Sequence, residues 1–270
     1  METESCHNKF ESVLANLPSI TLLGVRIHDI PLNSLLTLLS QLITSQHKVV
    51  LTYVNIHAIN LAYKNLRFRD CLNKADIAFC DGFGVKWAGR ILGLKIEHRY
   101  TPPDWIPLLV EVCQQRNFSV FLLGGRPGIA EKTSIQLKNR FPNLRVVGFH
   151  DGYFNKTPGS IENEKVIQSI NSVKPDILIV GFGMPLQEFW LEENWPGLQA
   201  VVALPVGAAL DYISGETYRG PGWMTNHGLE WLARLIIEPR RLWKRYIVGN
   251  PLFLWRVLKR RVKIFYFKPK

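Results

Sequence analysis

The stretch ADIAFCDGFGV, residues 75–85, decides how the rest of the chain is interpreted. Its apolar segment IAFC has the length and composition of a short buried strand. Asp81 follows this segment at once, and Gly82 and Gly84 predict a tight turn directly after it. The stretch therefore predicts a carboxylate at the end of a buried strand, next to a glycine-bearing turn.

Apolar runs of this kind alternate with segments of helical periodicity from residue 20 to about residue 204. The predicted strands are 21–27, 49–54, 77–80, 119–123, 145–149, 176–180 and 200–204. Strand and helix in regular alternation are typical of a parallel sheet that is covered on both faces. The sequence therefore predicts an α/β fold, Rossmann-like, with a mostly parallel sheet.

In open sheets of this kind, ligands bind beyond the carboxyl ends of the strands. Polar residues and glycines follow nearly every predicted strand, and they are the candidate site residues: Asn55, His57, Asp81, Gly82, Gly84, Gly124, Gly125, Arg126, Asp151, Gly152, Gly183, Pro185, Gln187, Glu188, Gly207 and Asp211. Glycine turns of this type can approach a phosphate, although any α/β protein has such turns. The chain lacks the spacing of a dinucleotide fingerprint and of a P-loop.

Several of these residues have two interpretations when each is taken alone. Asp81 could cap the helix that begins near Phe83, or it could be a general base that takes a proton from a sugar hydroxyl. Arg99 could be a surface cation or a clamp for a diphosphate leaving group. Asn55 could be a turn residue or a hydrogen-bond partner of a sugar, and His57 is better explained as a helix-start residue than as a ligand.

The positive charge of the protein is concentrated at its C-terminal end. Residues 234–270 hold 12 Lys or Arg and one acidic residue, whereas residues 1–233 hold 21 basic and 21 acidic residues. Aromatic residues interleave with these charges, a composition typical of a surface that binds a membrane. The sequence thus predicts an α/β core at 1–215 and a helical, basic appendage at 216–270.

Other features narrow the functional classes. The N-terminal residues are polar and acidic, unlike a signal peptide, and apolar runs stay short of the ~18 residues that predict a membrane span. The four cysteines form no C-x-x-C pair, so we expect no metal site and a reducing cytoplasm. A nucleic-acid-binding protein that uses the basic, aromatic tail is the alternative function.

Taken in order, several segments form a specific set: TYVNIHAINLA, ADIAFCDGFGVKWAGRILG, EHRYTPPD, FLLGGRPGIAEK, VVGFHDGYF, PDILIVGFGMPLQEFW and VGAALDYISGETYRGPGWMTNHGLEWLARLIIEPRRLWKRY. Through this set the chain resembles the WecG/TagA/CpsF family of bacterial glycosyltransferases, from about residue 20 to about residue 255. The resemblance implies a metal-independent, inverting enzyme without a cofactor. Such an enzyme transfers a sugar from a UDP-sugar to a saccharide on a polyprenyl diphosphate lipid, in the synthesis of a surface polysaccharide or cell-wall polymer.

The same resemblance implies roles for individual residues. Asp81 matches the proposed catalytic base, Asn55 a sugar-contacting residue, and Arg99 the residue that stabilises the leaving diphosphate. The implied substrate pocket comprises Gly82, Gly84, Asp104, Gly124, Gly125, Arg126, Gly183, Pro185, Gln187, Glu188, Gly207 and Asp211. The implied membrane and acceptor contacts are Arg234, Arg240, Arg241 and Arg245.

The resemblance also implies a peripheral protein on the cytoplasmic face of the plasma membrane, with homo-oligomers possible and nucleic acid not a partner. The chain departs from the family pattern at Tyr53, where many relatives have threonine, and at Pro103, where glycine is common. A further departure is the YRGPGW segment. These departures lie beside the implied sugar and acceptor positions, so the identities of donor and acceptor stay open.

Overall fold

The computed structural model describes residues 2–266, apart from the side chains of residues 2–8 and 226. Phe267, Lys268 and Lys270 of the predicted appendage lie outside this range. The strands are β1 (Ser19–Leu22), β2 (Val25–His28), β3 (Val49–Val54), β4 (Ile77–Cys80), β5 (Ser119–Gly124), β6 (Arg145–His150), β7 (Ile177–Gly181) and β8 (Val202–Pro205).

The strands are connected mainly by helices. These are α1 (Glu2–Ala15), α2 (Leu32–Thr44), α3 (Ile56–Lys64), α4 (Leu66–Lys74), α5 (Phe83–Leu92), α6 (Pro102–Arg116), α7 (Ile129–Arg140), α8 (Ile161–Val173), α9 (Leu186–Asn194), α10 (Ala209–Ile213), α11 (Gly222–Asn226), α12 (Glu230–Ile237), α13 (Pro239–Trp243) and α14 (Gly249–Tyr266). A short 3-10 helix spans Trp195–Gly197, and a π-helical turn spans Lys244–Val248.

All eight strands form one sheet with the order β1-β2-β4-β3-β8-β7-β5-β6. Neighbouring strands are parallel throughout, except that β1 and β2 are antiparallel. The predicted α/β class with a mostly parallel sheet is therefore confirmed. The long connections between parallel strands place helices on both faces of the sheet, as the alternation in the sequence predicts.

The first predicted strand, 21–27, is wrong. This segment is instead a hairpin in which Leu22 pairs with Val25, and the turn between them has positive φ at Leu23 (50°) and Gly24 (88°). Gly24 adopts this conformation without steric cost, and the two-residue turn reverses the chain. The turn is hidden in the segment TLLGVRI because apolar residues stand on both sides of it, and Leu22 and Val25 next to it are buried.

Side chains of the central strands alternate between hydrophobic clusters on the two faces of the sheet, with one cluster on the first face and two on the second. In β3, Leu51 and Tyr53 face the cluster covered by α2, α6 and α7, whereas Val54 faces the cluster covered by α3, α4 and α5. The first cluster contains the fully buried Trp105. Because side chains on both faces of the central strands are buried, these strands cannot shift along the sheet. The positions of their carboxyl ends are therefore fixed.

The long C-terminal helix α14 packs on the second face of the same sheet. Helix α14 lies against α3 and α5, and its Phe253 and Val257 belong to the same buried cluster as Val54 and Ala58. Among the described helices, none combines the length and the apolar character that are needed to cross a membrane. The boundary predicted at residue 215 stays a prediction.

Candidate active site

The order of the strands determines which candidate residues meet. Across the carboxyl edge of the sheet, β4 leads to Asp81, β3 to Asn55, β8 to Gly207 and β7 to Gly183. These four strands are consecutive neighbours. Strand β5, which ends at Gly124, lies four positions from β4, or about 19 Å at the usual strand spacing. The site therefore forms over the centre of the sheet, around Asp81 and Asn55.

Asp81 is held by hydrogen bonds from the neighbouring strand. Its backbone N–H donates to the carbonyl of Val54 at 2.9 Å, which continues the β3–β4 ladder by one residue. Its carboxylate Oδ2 accepts a hydrogen bond from Asn55 Nδ2 at 3.0 Å. The N-cap of α5 is Gly82, with φ of 92° and no side-chain cap. The carboxylate of Asp81 therefore does not cap α5, so the capping interpretation is wrong.

Asn55 combines a local and a long-range contact. It is the N-cap of α3, where its Oδ1 accepts from the N–H of Ala58 at 3.0 Å. Because this contact requires the amide oxygen to face the helix, the amide Nδ2 is directed at Asp81. The turn-residue interpretation of Asn55 is thus correct, and the same turn positions the partner of the carboxylate.

The surroundings of Asp81 bring its ionisation close to neutral pH. Burial raises the pKa of Asp81 to about 6, and the negative charge of Glu230 adds to this effect. The hydrogen bond from Asn55 and the charges of Arg245 and Arg234 act in the opposite direction. A carboxylate with such a pKa is ionised at pH 7 and is a stronger base than an exposed aspartate.

Two connected cavities meet at Asp81. The glycine chamber, with a volume of about 280 Å³, is lined by Gly183, Gly207 and Tyr212 among others. The aromatic chamber, with a volume of about 130 Å³, is lined by Phe83 and other aromatic residues. Seven residues line both chambers: Asn55, His57, Asp81, Thr101, Glu230, Arg234 and Arg245. The carboxylate therefore lies at the junction of two spaces that could hold two different substrates.

Arginines of the C-terminal segment complete the walls. Arg234 and Arg245 line both chambers, and each has a buried Nε atom with no hydrogen-bond partner among the described residues. Arg241 lines the glycine chamber alone. Arg240 is exposed and lines neither chamber. Partly buried guanidinium groups with an unpaired Nε are suited to bind an anion such as a diphosphate.

Arg99 and two of the predicted glycines lie in the aromatic chamber. The guanidinium carbon of Arg99 lies 4.0 Å from the centre of the Phe83 ring, a cation–π contact that orients the side chain. Gly82 and Gly84 line the same chamber. The structure thus brings Asp81, Asn55 and Arg99 together in one cleft, as the sequence predicts.

The remaining predicted pocket residues lie farther from Asp81. Gly124 and Gly125 line neither chamber; the backbone of Gly124 packs so closely on Gly181 that a Cβ there would lie 2.5 Å from the Gly181 carbonyl oxygen. Burial raises the pKa of Asp211, against the nearby charges of Arg126 and Arg241. Because Arg241 lines the glycine chamber, Arg126 and Asp211 belong to its surroundings rather than to its wall.

Four further predicted pocket residues line neither chamber. Asp104 accepts hydrogen bonds from Thr101 and Arg219 and lines neither chamber. Pro185 is the N-cap of α9 and lines neither chamber. Gln187 is fully buried behind the glycine chamber, and its neighbour Glu188 is 6% exposed. Direct contact of these residues with a substrate stays a prediction.

Sequence reasoning missed Glu230, whose carboxylate lines both chambers. Glu230 and Arg234 are four residues apart in α12, so they share one helix face. That spacing is visible in GLEWLARL, but only the fold shows that this face is directed at Asp81. His57 is a helix-start residue as predicted, yet it also lines both chambers; burial and the charges of Arg245 and Arg234 lower its pKa to about 4.

Two sets of contacts hold the C-terminal segment on the core. Arg219 forms ion pairs with Asp104 and, at 3.0 Å, with Glu230, and its Nη2 also donates to Thr101 at 2.8 Å. On α14, the buried Arg256 donates to Asn60 Oδ1 at 2.6 Å. The predicted pocket residue Asp104 thus joins the two halves of the site.

Among the described residues, Asp29, Glu97 and His98 are the group whose ligand atoms are spaced closely enough to hold a metal ion. The Asp29 carboxylate already accepts the backbone N–H groups of Glu97 and His98 at 2.8 to 3.1 Å. These residues line neither chamber. The close spacing of the three side chains is explained by these hydrogen bonds, through which Asp29 holds the loop that contains Glu97 and His98.

Comparison with known proteins identifies the family of the chain. The model of the Glycosyl transferase WecG/TagA/CpsF family matches residues 20–265. Two similar proteins are named N-acetylglucosaminyldiphosphoundecaprenol N-acetyl-beta-D-mannosaminyltransferase. The protein of Bacillus subtilis (strain 168) is 29% identical over 90% of this chain and 95% of its own length. The protein of Staphylococcus aureus (strain NCTC 8325 / PS 47) is 25% identical over 93% of this chain and 96% of its own length.

The family match covers the strands that carry Asn55 and Asp81 and also the helices that carry Arg234 and Arg245. Both halves of the candidate site are therefore included in the matched region. The chain belongs to the WecG/TagA/CpsF family and is a glycosyltransferase.

Proposed function

We propose that the protein is an inverting transferase that moves a sugar from a UDP-sugar to a saccharide carried on a polyprenyl diphosphate lipid. The reaction takes place at the cytoplasmic face of the plasma membrane and requires no metal ion. The observation that carries the proposal is the position of Asp81, a carboxylate with a pKa of about 6 at the junction of two chambers.

The proposed chemistry uses Asp81 as a general base. Asp81 takes the proton of an acceptor hydroxyl while that oxygen forms a bond to the anomeric carbon of the donor. The bond from the anomeric carbon to the β-phosphate oxygen breaks, and its electron pair leaves with UDP. Attack from the face opposite to UDP inverts the configuration at the anomeric carbon.

The leaving diphosphate gains negative charge, which the arginines can balance. Arg234 and Arg245 line both chambers and have unused buried donors, and Arg241 adds a third cation to the glycine chamber. Fixed cations stabilise a developing charge strongly in a site that excludes water. The stabilising role implied for Arg99 stays a prediction, which an Arg99→Ala variant would test.

The glycine chamber fits the nucleotide end of the donor better than the aromatic chamber does. It is the larger of the two spaces, and glycine turns from β7 and β8 expose backbone at its wall. Gly183 and Gly207 have φ values of 81° and 58°, a backbone conformation that lets the chain approach a ligand closely. Asp211, which the resemblance assigns to the substrate pocket, lies near Arg241 on the same side.

The aromatic chamber is the proposed entry for the lipid-linked acceptor. Its lining includes Trp231, Tyr246 and Asn250, which connect it to the start of α14. The outward face of α14 carries an apolar stripe whose members are all at least 47% exposed: Leu254, Trp255, Leu258, Val262, Phe265 and Tyr266. Lys259, Arg261 and Lys263 flank this stripe, and such a helix is suited to lie in the surface of an anionic membrane.

The names of the relatives suggest the first substrates to assay. We expect the purified full-length protein, incubated with UDP-N-acetylmannosamine and a short polyprenyl-diphosphate N-acetylglucosamine, to release UDP and to extend the acceptor by one sugar. Mass spectrometry of the lipid fraction would detect the product. A panel of other UDP-sugars and lipid-linked acceptors would identify a different pair.

The absence of transfer with every donor in the panel would contradict the proposed reaction. Metal independence is tested separately by measuring activity with EDTA and again after the addition of Mg²⁺. Activity that disappears with EDTA and returns with Mg²⁺ would contradict it. The self-association implied by the resemblance stays a prediction.

A further inference from the structure

The side chain of Gln187 joins the two glycine turns that line the glycine chamber. Its Oε1 accepts the N–H of Gly207 at 3.0 Å and the N–H of Gly183 at 3.2 Å. Gly183 follows β7 and Gly207 follows β8, so one side-chain atom links the ends of two neighbouring strands. Gln187 is 0% exposed, and its amide is therefore part of the protein interior.

An amide can bind two N–H donors through one atom only if that atom is the oxygen. The Nε2 group must then face an acceptor, and it donates to Glu188 Oε1 at 2.8 Å. A carboxyl group that accepts this hydrogen bond holds the amide in the required orientation. The opposite orientation would direct an NH₂ group at two N–H donors and leave buried polar groups unpaired.

Apart from the hydrogen bond from Gln187, the carboxyl group of Glu188 has no hydrogen-bond partner among the side chains that the structure describes. Its Oε2 is buried without a hydrogen-bond partner among the described residues, and the side chain faces a separate cavity between α4 and α9 that Thr52 and Cys71 also line. Burial raises the pKa of Glu188 to about 7. Because Oε1 can accept a hydrogen bond in either protonation state, the contact with Gln187 persists on both sides of that pKa.

We infer that Glu188 is a positioning residue, which orients Gln187 so that this amide fixes the Gly183 and Gly207 turns around the donor nucleotide. Gln187 and Glu188 therefore position the backbone that lines the glycine chamber, although neither side chain lines it. The donor part of this inference rests on the proposed function, whereas the restraint on the two turns does not.

The geometry predicts which substitutions at position 188 are tolerated. Glu188→Gln keeps an acceptor oxygen of nearly the same shape, so it preserves the orientation of Gln187. Glu188→Met removes the acceptor and leaves the Gln187 amide free to turn. Glu193→Met is the control, because Glu193 lies on the same helix and its carboxylate pairs with Arg67 near the surface, away from Gln187.

Hydrogen exchange of the full-length protein, followed by mass spectrometry, tests the restraint without any ligand. We expect Glu188→Met to speed exchange at least tenfold in peptides that cover 182–184 and 206–208, and Glu188→Gln and Glu193→Met to leave it unchanged. UDP binding, measured by calorimetry, should weaken about five- to tenfold in Glu188→Met, the effect of losing one ordering hydrogen bond. Unchanged exchange in both segments would overturn the inference.

A second variant pair tests the orientation if Glu188→Met does not fold. Gln187→Glu keeps the acceptor for the two glycines but places two carboxyl groups side by side, so UDP binding should weaken. Adding Glu188→Gln restores a donor and acceptor pair with the roles exchanged, so the double variant should bind UDP within about twofold of the wild type. A double variant as weak as Gln187→Glu would overturn the inference.

The two proposals fail in different ways. A wild-type protein that does not bind UDP would contradict the donor assigned under the proposed function. The hydrogen-exchange results would still decide whether Glu188 and Gln187 restrain the two turns.

Discussion

The carboxyl edge of the sheet and the C-terminal helices contribute to one site in different ways. The sheet positions Asp81 by a backbone hydrogen bond from a strand extension and by the amide of Asn55. The C-terminal helices contribute Arg234 and Arg245, which have unused buried donors. One region thus fixes the position of the proposed proton acceptor, and the other adds positive charge next to it.

The two regions also differ in how they are held. Buried hydrophobic clusters cover both faces of the strands, so their ends have little freedom. Helices α11 to α13 are tied to the core through Arg219, whose partners are Asp104, Thr101 and Glu230. Precise placement therefore comes from the sheet, whereas positive charge and exposed apolar surface come from the appended helices. Substitutions can test each half of this division.

The largest effect is expected at the proton acceptor. Asp81→Asn keeps the shape of the side chain but removes its basicity, so kcat should fall by about 10²- to 10⁴-fold, the range for loss of a general base. Release of UDP in the presence of acceptor measures the rate. Asp70→Asn, an exposed change on α4, is the control and should leave the rate unchanged. An unaltered rate in Asp81→Asn would remove Asp81 from the role of base.

The charge supplied by the C-terminal helices should have the next largest effect. Arg234→Ala removes a guanidinium from both chambers, and kcat/KM should fall roughly 10- to 100-fold, as for a lost hydrogen bond to a charged group. Arg240→Ala removes an exposed arginine that lines neither chamber and should change kcat/KM less than twofold. An equal loss of kcat/KM in the two variants would indicate that overall positive charge matters, and not the position of Arg234 in the chambers.

Membrane binding should depend on the exposed apolar residues of α14 and not on those of the core. Val262 on α14 is 52% exposed and Ile135 on α7 is 51% exposed, so glutamate at either position removes a similarly exposed apolar side chain. Val262→Glu should weaken binding to phosphatidylglycerol vesicles about tenfold, because it removes one apolar group and adds a like charge. Ile135→Glu should bind as the wild type does. Co-sedimentation with vesicles measures both, and the prediction fails if Ile135→Glu is the weaker of the two.

The smallest effect concerns the pH dependence of the rate. Because the pKa of Asp81 is about 6, kcat/KM of the wild type should fall as the pH drops below that value. The hydrogen bond from Asn55 lowers this pKa, so Asn55→Ala should move the acidic limb of the profile to higher pH, by about one unit or less.

Asn65→Ala is the matched control for this profile. Asn65 caps α4 by accepting from the N–H of Phe68 at 3.0 Å, as Asn55 caps α3 by accepting from Ala58. Both substitutions cost a helix cap, worth about 1 kcal/mol, but only Asn55 contacts Asp81. A shift of equal size in the two pH profiles would show that the cap, and not the contact with Asp81, causes it.

Several parts of the fold were predictable because they depend on local patterns. The predicted bounds of β3 and β4 are correct, and those of β5 and β6 are correct within one residue, since short buried apolar runs identify such strands. The hairpin of β1 and β2 was missed because the apolar residues Leu22, Leu23 and Val25 continue across its turn. In the site, the residue types at the strand ends indicated Asp81 and Asn55. Arg99 lies between α5 and α6, and its role came from the resemblance.

Other site residues could not be assigned from local patterns. Gly124 follows a strand as Gly183 does, yet β5 lies beyond β7 in the sheet, farther from Asp81. Asp104 has the residue type of a ligand contact, but its carboxylate accepts a hydrogen bond from Arg219. Arg219 lies more than one hundred residues later in the chain. Glu230 lies in a segment that the sequence identifies only as helical and basic. Each of these outcomes depends on contacts between distant parts of the chain.

The amino-acid pattern alone indicated that buried strands end in polar turns, that Asp81 follows one of them, and that the positive charge lies at the C-terminal end. These properties follow from composition and periodicity, which act over a few residues. The fold was needed to show that β4, β3, β8 and β7 are neighbours and that α12 places Glu230 and Arg234 beside Asp81. Strand order and helix docking are set by packing between segments far apart in the chain, so no local pattern encodes them.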